Sequence, residues 1–224
     1  MIEVESPMES IIDISRPLYN GMPVWPGDAP FMTTWTGRIA GGDTGNVGSM
    51  SLSLHSGTHL DAASHTLASA RPIAATGEQA PDDLNPFIGC AQVIHMMGAS
   101  VVTADALRKI VAPGILRVLL RTDSFPIGEF TSAFTWIESN AAKLLAELGV
   151  SLIGIDTPSV DAFQSERLET HKVLATAGIY ILEGLDLSRV DAGLYELVAL
   201  PLRLCGMDAS PVRAVLRRVN ADSH

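Results

Sequence analysis

Three short apolar runs in the second half of the chain constrain its fold most. Residues 116–120, 150–155 and 179–182 are too short to be buried helices and read as strands covered on both faces. Helical spacing fills the gaps between them. Thr103 is placed to cap a short helix carrying Leu107, Ile110 and Val111 on one side, stopped by Pro113-Gly114. Ile137, Ala141, Leu144, Leu145 and Leu148 recur at helical intervals, with Gly149 where a C′ glycine belongs. Ser165 is a candidate cap for a third helix running to about Ala177, with Gly178 as its stop. Strands that alternate with helices predict a mixed α/β fold.

The first half reads differently. Residues 11–15 predict a strand stopped by Arg16-Pro17, and the prolines and glycines of 21–28 exclude helix and ladder alike, leaving a rigid loop that carries Trp25. Met50-Ser51-Leu52-Ser53-Leu54 alternates strictly, which predicts a strand with one face in the core and His55 at its end. The expectation is one mixed α/β domain over residues 1–224 with a β-rich N-terminal part, because no linker-like stretch interrupts it.

Composition narrows the function. Hydrophobic residues make up 47% of the chain and charged ones only 18%, which predicts surface buried against another copy, as a dimer or tetramer. No stretch approaches the ~20 apolar residues of a membrane helix. The acidic start Met1-Ile2-Glu3-Val4-Glu5 lacks a signal peptide's basic and apolar regions, so a cytoplasmic location is expected. A net charge of −10 without a basic run disfavours nucleic acid as a partner. Cys90 and Cys205 are far apart and are expected to be reduced, small, buried side chains, while Met96 and Met97 read as core filler. His95 is expected to be a structural strand histidine, and Asp82-Asp83 a solvated loop.

The chemistry concentrates in His55-Ser56-Gly57-Thr58-His59-Leu60-Asp61-Ala62-Ala63-Ser64-His65. Three of the chain's six histidines and a carboxylate fall in this segment. Neutral imidazole and carboxylate suit zinc, manganese or iron(II), and packing them together without a cation is unfavourable. Gly57 permits a tight turn, and Thr58 is placed to support a ligand through a hydrogen bond. His171 shares its helical face with Leu168 and Ala175, and Glu183 ends an apolar run. Read alone, His171 is as readily a core residue as a ligand, and Glu183 as readily solvated. There is no Gly-x-Ser-x-Gly elbow, His-Glu-x-x-His helix, P-loop or Gly-x-Gly-x-x-Gly turn.

The pattern His55-x-Gly57-Thr58-His59-x-Asp61-x-x-x-His65 resembles the signature of the metal-dependent cyclase-like hydrolases, a family that includes bacterial kynurenine formamidases. The segments 23–28, 152–159, 181–184, 195–202 and 208–214 are similar to the formamidase (arylformamidase) branch of that family. The resemblance implies a swivelling β/β/α fold, usually in oligomers, and two metal ions, normally Zn²⁺ with Mn²⁺ an option. It implies His55, His59 and Asp61 as ligands of one ion, and Asp61, His171 and Glu183 as ligands of the other. His65 would be the general acid/base, and Trp25 would line a pocket for an aromatic formamide. The implied reaction is hydrolysis of N-formyl-L-kynurenine in tryptophan degradation. Hydrolysis of a cyclic amide such as isatin, or a non-catalytic metal site, are the alternatives. The segment after His65, Thr66-Leu67-Ala68-Ser69-Ala70-Arg71, lacks the aromatic residue the resemblance leads one to expect.

Overall fold

The computed structural model of the chain describes residues 11–74 and 83–219; residues 1–5, Asp82 and His224 lie outside them. In chain order the strands are β1 (Ile12–Asp13), β2 (Met32–Gly37), β3 (Val47–Ser51), β4 (His59–Asp61), β5 (Ile88–His95), β6 (Val101–Val102) and β7 (Arg117–Arg121). They continue with β8 (Trp136–Ile137), β9 (Leu152–Ile155), β10 (Tyr180–Glu183), β11 (Gly193–Val198), β12 (Ala209–Pro211) and β13 (Val215–Arg218). Three helices, α1 (Ala104–Ile110), α2 (Ser139–Glu147) and α3 (Glu169–Thr176), lie between the parallel strands.

One mixed sheet runs in the order β1-β13-β11-β5-β7-β9-β10-β4-β12. Its centre, β5-β7-β9-β10, is parallel because each crossover contains a helix, and the flanking pairs are antiparallel. Side chains alternate between its faces. Val118, Leu120, Ile153, Ile155 and Ile181 meet Leu107, Leu144, Leu145 and Leu174 of the helices. Leu119, Leu152 and Leu182 point the other way, into a cluster with Leu60, Leu197 and Leu216. The sheet curls around that second cluster. Ser15, just past β1 at one edge, bridges to Leu185, just past β10, and Ile14 is buried between them. The mixed α/β architecture with a β-rich N-terminal part is as expected.

Local expectations fared unevenly. Thr103 caps α1, accepting from the Ala106 N–H. His95 is a strand residue whose Nε2 bonds the Val190 carbonyl, and Asp83 is exposed. The run 116–120 is not wholly apolar, since β7 carries Arg117, which is only 7% exposed. Its guanidinium lies against Gly89 and is satisfied by the carbonyls of Asn85, Pro86 and Cys90. Ile137 belongs to β8, so the second helix starts later than its spacing suggested. Ser165 does not begin α3; its hydroxyl accepts from the Leu168 N–H, and Leu168, at φ +48°, turns the chain into a helix that starts at Glu169. Both cysteines and Met97 are exposed, not buried.

The alternating strand also differs. β3 pairs with β2 in a separate two-stranded ladder, and every residue of β3 is exposed. β3 ends at Ser51, so residues 52–54 are not strand and His55 sits in a turn rather than at a strand end. The ribbon itself has two open faces, carrying Met32, Trp35, Val47 and Met50. Among the described residues, no helix is long and apolar enough to cross a membrane.

Candidate metal centre

Ladder register assembles half of the site. Along β4, Leu60 enters the apolar curl, so His59 and Asp61 point to the helix layer. β10 runs antiparallel beside β4 with Glu183 opposite His59 and Ile181 opposite Asp61, which places Glu183 on that same side. Helix α3 covers this side and contributes His171. These four side chains are at most 3% exposed.

Two glycines allow the close approach. Gly57 and Gly184 sit at φ +64° and +65°, and a Cβ on Gly184 would overlap the Gly57 carbonyl oxygen. Thr58 ties these turns together: its hydroxyl donates to the Gly184 carbonyl at 2.6 Å and accepts from the Arg16 N–H at 2.9 Å. Its role is therefore to join backbone segments, rather than to support a ligand side chain as expected.

Each imidazole has one nitrogen fixed by a partner outside the cluster. His59 donates from Nδ1 to the Gly57 carbonyl at 3.1 Å, and His171 from Nδ1 to Asp161 Oδ2 at 2.7 Å. His55 donates from Nε2 to Asp208 Oδ2 at 3.0 Å. The remaining nitrogens, bare in these tautomers, all face carboxylates. His55 Nδ1 lies 3.0 Å from Asp61 Oδ1; His59 Nε2 lies 3.5 Å from that oxygen and 3.4 Å from Glu183 Oε2. His171 Nε2 lies 3.5 Å from Asp61 Oδ2 and 3.3 Å from Glu183 Oε1.

These approaches are short without being hydrogen bonds: neither Asp61 oxygen nor His59 Nε2 has a hydrogen-bond partner. Buried lone pairs that face one another repel unless positive charge lies between them. The donor set is therefore suited to divalent cations that accept nitrogen and oxygen ligands. Without a cation, protons take that part. Burial pulls the His55 imidazole down, but Asp61 and Asp208 outweigh it and hold it up at about 9. His171 likewise stands well above the usual histidine range: burial opposes this, and the Glu183 charge and the Asp161 bond overcome it. Asp61 is held well below the carboxylate range, burial notwithstanding, by the imidazoles around it.

His65, on the turn Ala63–His65, stands beside His55 with ring centroids 4.3 Å apart. Its donor atoms are also within cation-sharing reach of Asp61 and His171, and of His55 and Asp208. The sequence-predicted residues His55, His59, Asp61, His65, His171 and Glu183 thus converge. Asp161 and Asp208, which orient His171 and His55, were missed. Both are single acids far along the chain from the histidine segment, and only the fold brings them to it.

A cavity of about 430 Å³ opens on the centre, lined by His55, His59, His65, His171 and Glu183 on one side. Trp25, Phe125, Phe130 and Phe163 line another part. Trp25 meets Phe163 at 5.1 Å and Phe130 at 5.9 Å between ring centroids. Phe125 and Phe130 come from the loop after β7, and Phe163 from the loop after β9.

The Cyclase family profile matches residues 12–162. A solved structure described as a "potential metal-dependent hydrolase with cyclase activity" is 30% identical and superposes with a TM-score of 0.78, covering 94% of this chain and 99% of that one. A "predicted metal-dependent hydrolase" from Bacillus stearothermophilus is 28% identical, with a TM-score of 0.79 over 92% of this chain and 97% of that one. Isatin hydrolase A from Labrenzia aggregata, at 23% identity, shares the fold over 94% of each chain with a TM-score of 0.79. This chain, with its paired imidazoles and carboxylates aimed at one another across β4, β10 and α3, belongs to the Cyclase family of metal-dependent hydrolases.

Proposed function

We propose that the chain hydrolyses N-formyl-L-kynurenine to L-kynurenine and formate, with zinc held by His55, His59 and Asp61 and by Asp61, His171 and Glu183. The observation that carries this reading is the cavity itself, which is lined both by clustered aromatic side chains and by the histidine–carboxylate cluster. When bound, a divalent cation lowers the pKa of water from 15.7 to about 7 and polarises a carbonyl.

The chain's own residues supply the rest. Trp25 and Phe163 receive the aryl ring and turn the formamide toward the cluster. His65 has its Nδ1 3.4 Å from Asp208 Oδ2, which leaves Nε2 free to exchange protons. It takes the proton of the attacking water as the new C–O bond forms at the formyl carbon. It returns that proton to the aniline nitrogen as the C–N bond breaks, releasing the amine and formic acid, which ionises to formate by losing the water's second proton to solvent. Such transfer is typically worth ~10²–10⁴ in rate.

A bicyclic lactam such as isatin is the second reading, because the same aromatic wall would accept it and proteins of this fold include an isatin hydrolase. Purified protein is assayed on both substrates before and after chelation and zinc readdition. Zinc-restored turnover of the formamide supports the first reading. Turnover of the lactam alone moves the activity to cyclic amides. In the His65→Ala variant most turnover should vanish with metal content near normal; parallel loss of metal would make His65 a ligand.

A further inference from the structure

We propose that Asp208 is a positioning residue of this site, a single carboxylate oxygen that fixes the presented faces of both His55 and His65. Its Oδ2 lies 3.0 Å from His55 Nε2 and 3.4 Å from His65 Nδ1. The two rings are close, and one acceptor between them sets both tautomers. His55 must present Nδ1 to Asp61, and His65 must present Nε2.

The fold holds Asp208 there independently of its side chain. Edge strand β12 pairs with β4 in the register that sets Ala209 opposite Asp61, and the Asp208 carbonyl accepts from the Ala62 N–H at 2.9 Å. The carboxylate therefore projects from the backbone directly beside the corner that leads from Asp61 to His65. Its side chain is 46% exposed, so its replacement leaves no buried cavity and removes only the two imidazole bonds. An imidazole released from such a bond can rotate or switch tautomer. Loss of an outer partner of this kind typically lowers metal affinity or activity 10–100-fold.

The role of His65 rests on the hydrolytic reading above, whereas the role toward His55 does not, and the test separates them. Wild type, Asp208→Ala and Asp208→Asn are zinc-loaded, and their imidazole nitrogens are followed by ¹⁵N NMR while zinc affinity is measured by competition with a chromophoric chelator. In wild type, protons are expected on His55 Nε2 and His65 Nδ1. In Asp208→Ala both assignments become mixed, and zinc affinity falls about 10–100-fold. Asn, which keeps one acceptor oxygen, recovers part of the loss. Unchanged nitrogen signals and affinity in Asp208→Ala overturn the proposal, whatever the substrate proves to be.

On a hydrolysed amide at saturating zinc, Asp208→Ala should lower kcat about 10–100-fold with KM within twofold. The same change made in His65→Ala should then have little further effect. Multiplicative losses in the double variant would show that Asp208 acts apart from His65 and would overturn that half of the proposal. If wild type turns over neither formamide nor lactam, the hydrolytic reading fails while the NMR and affinity results still decide Asp208.

Discussion

Glu183 lies directly across the β4–β10 ladder from His59, and its Oε2 comes within 3.4 Å of His59 Nε2. The pair links a strand end at each side of the site to one point, so neither residue can shift without moving the ladder. Oε1 of the same carboxylate also accepts from the Val160 N–H at 2.7 Å. Glu183→Gln keeps the shape and an acceptor for Val160 but removes the charge. If zinc is held by the two ligand sets proposed above, bound zinc counted by elemental analysis should fall by about one per chain. Affinity for the lost ion should drop by more than the ~10–100-fold typical of an outer partner. Retention of both ions at wild-type affinity would remove Glu183 from the ligand set.

The glycine pair beneath that ladder makes a prediction about stability rather than metal. Gly184→Ala places a Cβ on backbone, the Gly57 carbonyl, at a positive φ. Left-handed strain of ~1–2 kcal/mol and overpacking of ~1–3 kcal/mol combine to about 2–5 kcal/mol. At roughly 2–4 °C per kcal/mol for a chain of this size, Tm should fall by about 5–20 °C. Gly57→Ala meets the Leu18 side chain at 2.6 Å instead, and that side chain can move, so the loss should be smaller. Calorimetry of the two metal-free variants gives the order; the reverse order would mean that the two turns do not pack as described.

Trp25 tests the aromatic wall. It lies in contact with Phe130, Phe134 and Phe163. Trp25→Ala should raise KM for an aryl formamide about tenfold or more, with kcat changed less than threefold. That rise corresponds to about 1.4 kcal/mol or more of lost apolar contact, within the range for burying a large side chain. An unchanged KM would take the indole out of substrate binding.

Much of this architecture was legible in the sequence where a local signal and the tertiary outcome coincide. The parallel strands of 150–155 and 179–182, the cap at Thr103 and the histidine segment were readable because periodicity, capping chemistry and ligand type are properties of neighbouring residues. Where the sequence reading failed, a distant partner had decided. Alternation from Met50 gives period two whether or not a core covers one face; here the ladder stops at Ser51 and every residue of β3 is exposed. Arg117 was passed over inside an apolar run because its neutralising carbonyls come from residues 85–90 on another element. Asp161 carries no local signature, and although Asp208 opens the family-like segment 208–214, nothing local assigns it a role, since an orienting carboxylate is defined only by the ring it holds.

The open ribbon has its own consequence. Trp35, Val47 and Met50 are each more than half exposed on β2 and β3. We propose, from this exposure and the apolar composition, that copies of the chain assemble through the ribbon. Replacing Met50 and Val47 together with Glu puts like charges on that surface and should lower the mass measured by light scattering to that of one chain of 23.8 kDa. Metal-free Tm, read alongside, should not rise. An unchanged mass would place any assembly surface elsewhere.

Acidity should act on the metal-free and metal-loaded protein in opposite directions. His55, at about 9, and His171, well above the usual range, both stand above the ~6.5 expected of an unfolded chain. A group raised on folding contributes stability that is fully present below its unfolded pKa and lost as pH rises through the folded one. The metal-free protein should therefore lose Tm as pH rises above about 6.5, through His55 up to about 9 and through His171 in the same direction. Ligation requires neutral imidazoles, so zinc must displace those protons, and its apparent affinity should rise over the same window. The gap in Tm between zinc-loaded and chelated samples should widen steadily from pH 6.5 to 8.5. Calorimetric titration at pH 7 in buffers of different ionisation enthalpy should register about two protons released as the site fills. Parallel Tm curves with no proton release would mean that His55 and His171 are already neutral without metal, and that the repulsion between bare nitrogens and carboxylates is relieved in some other way.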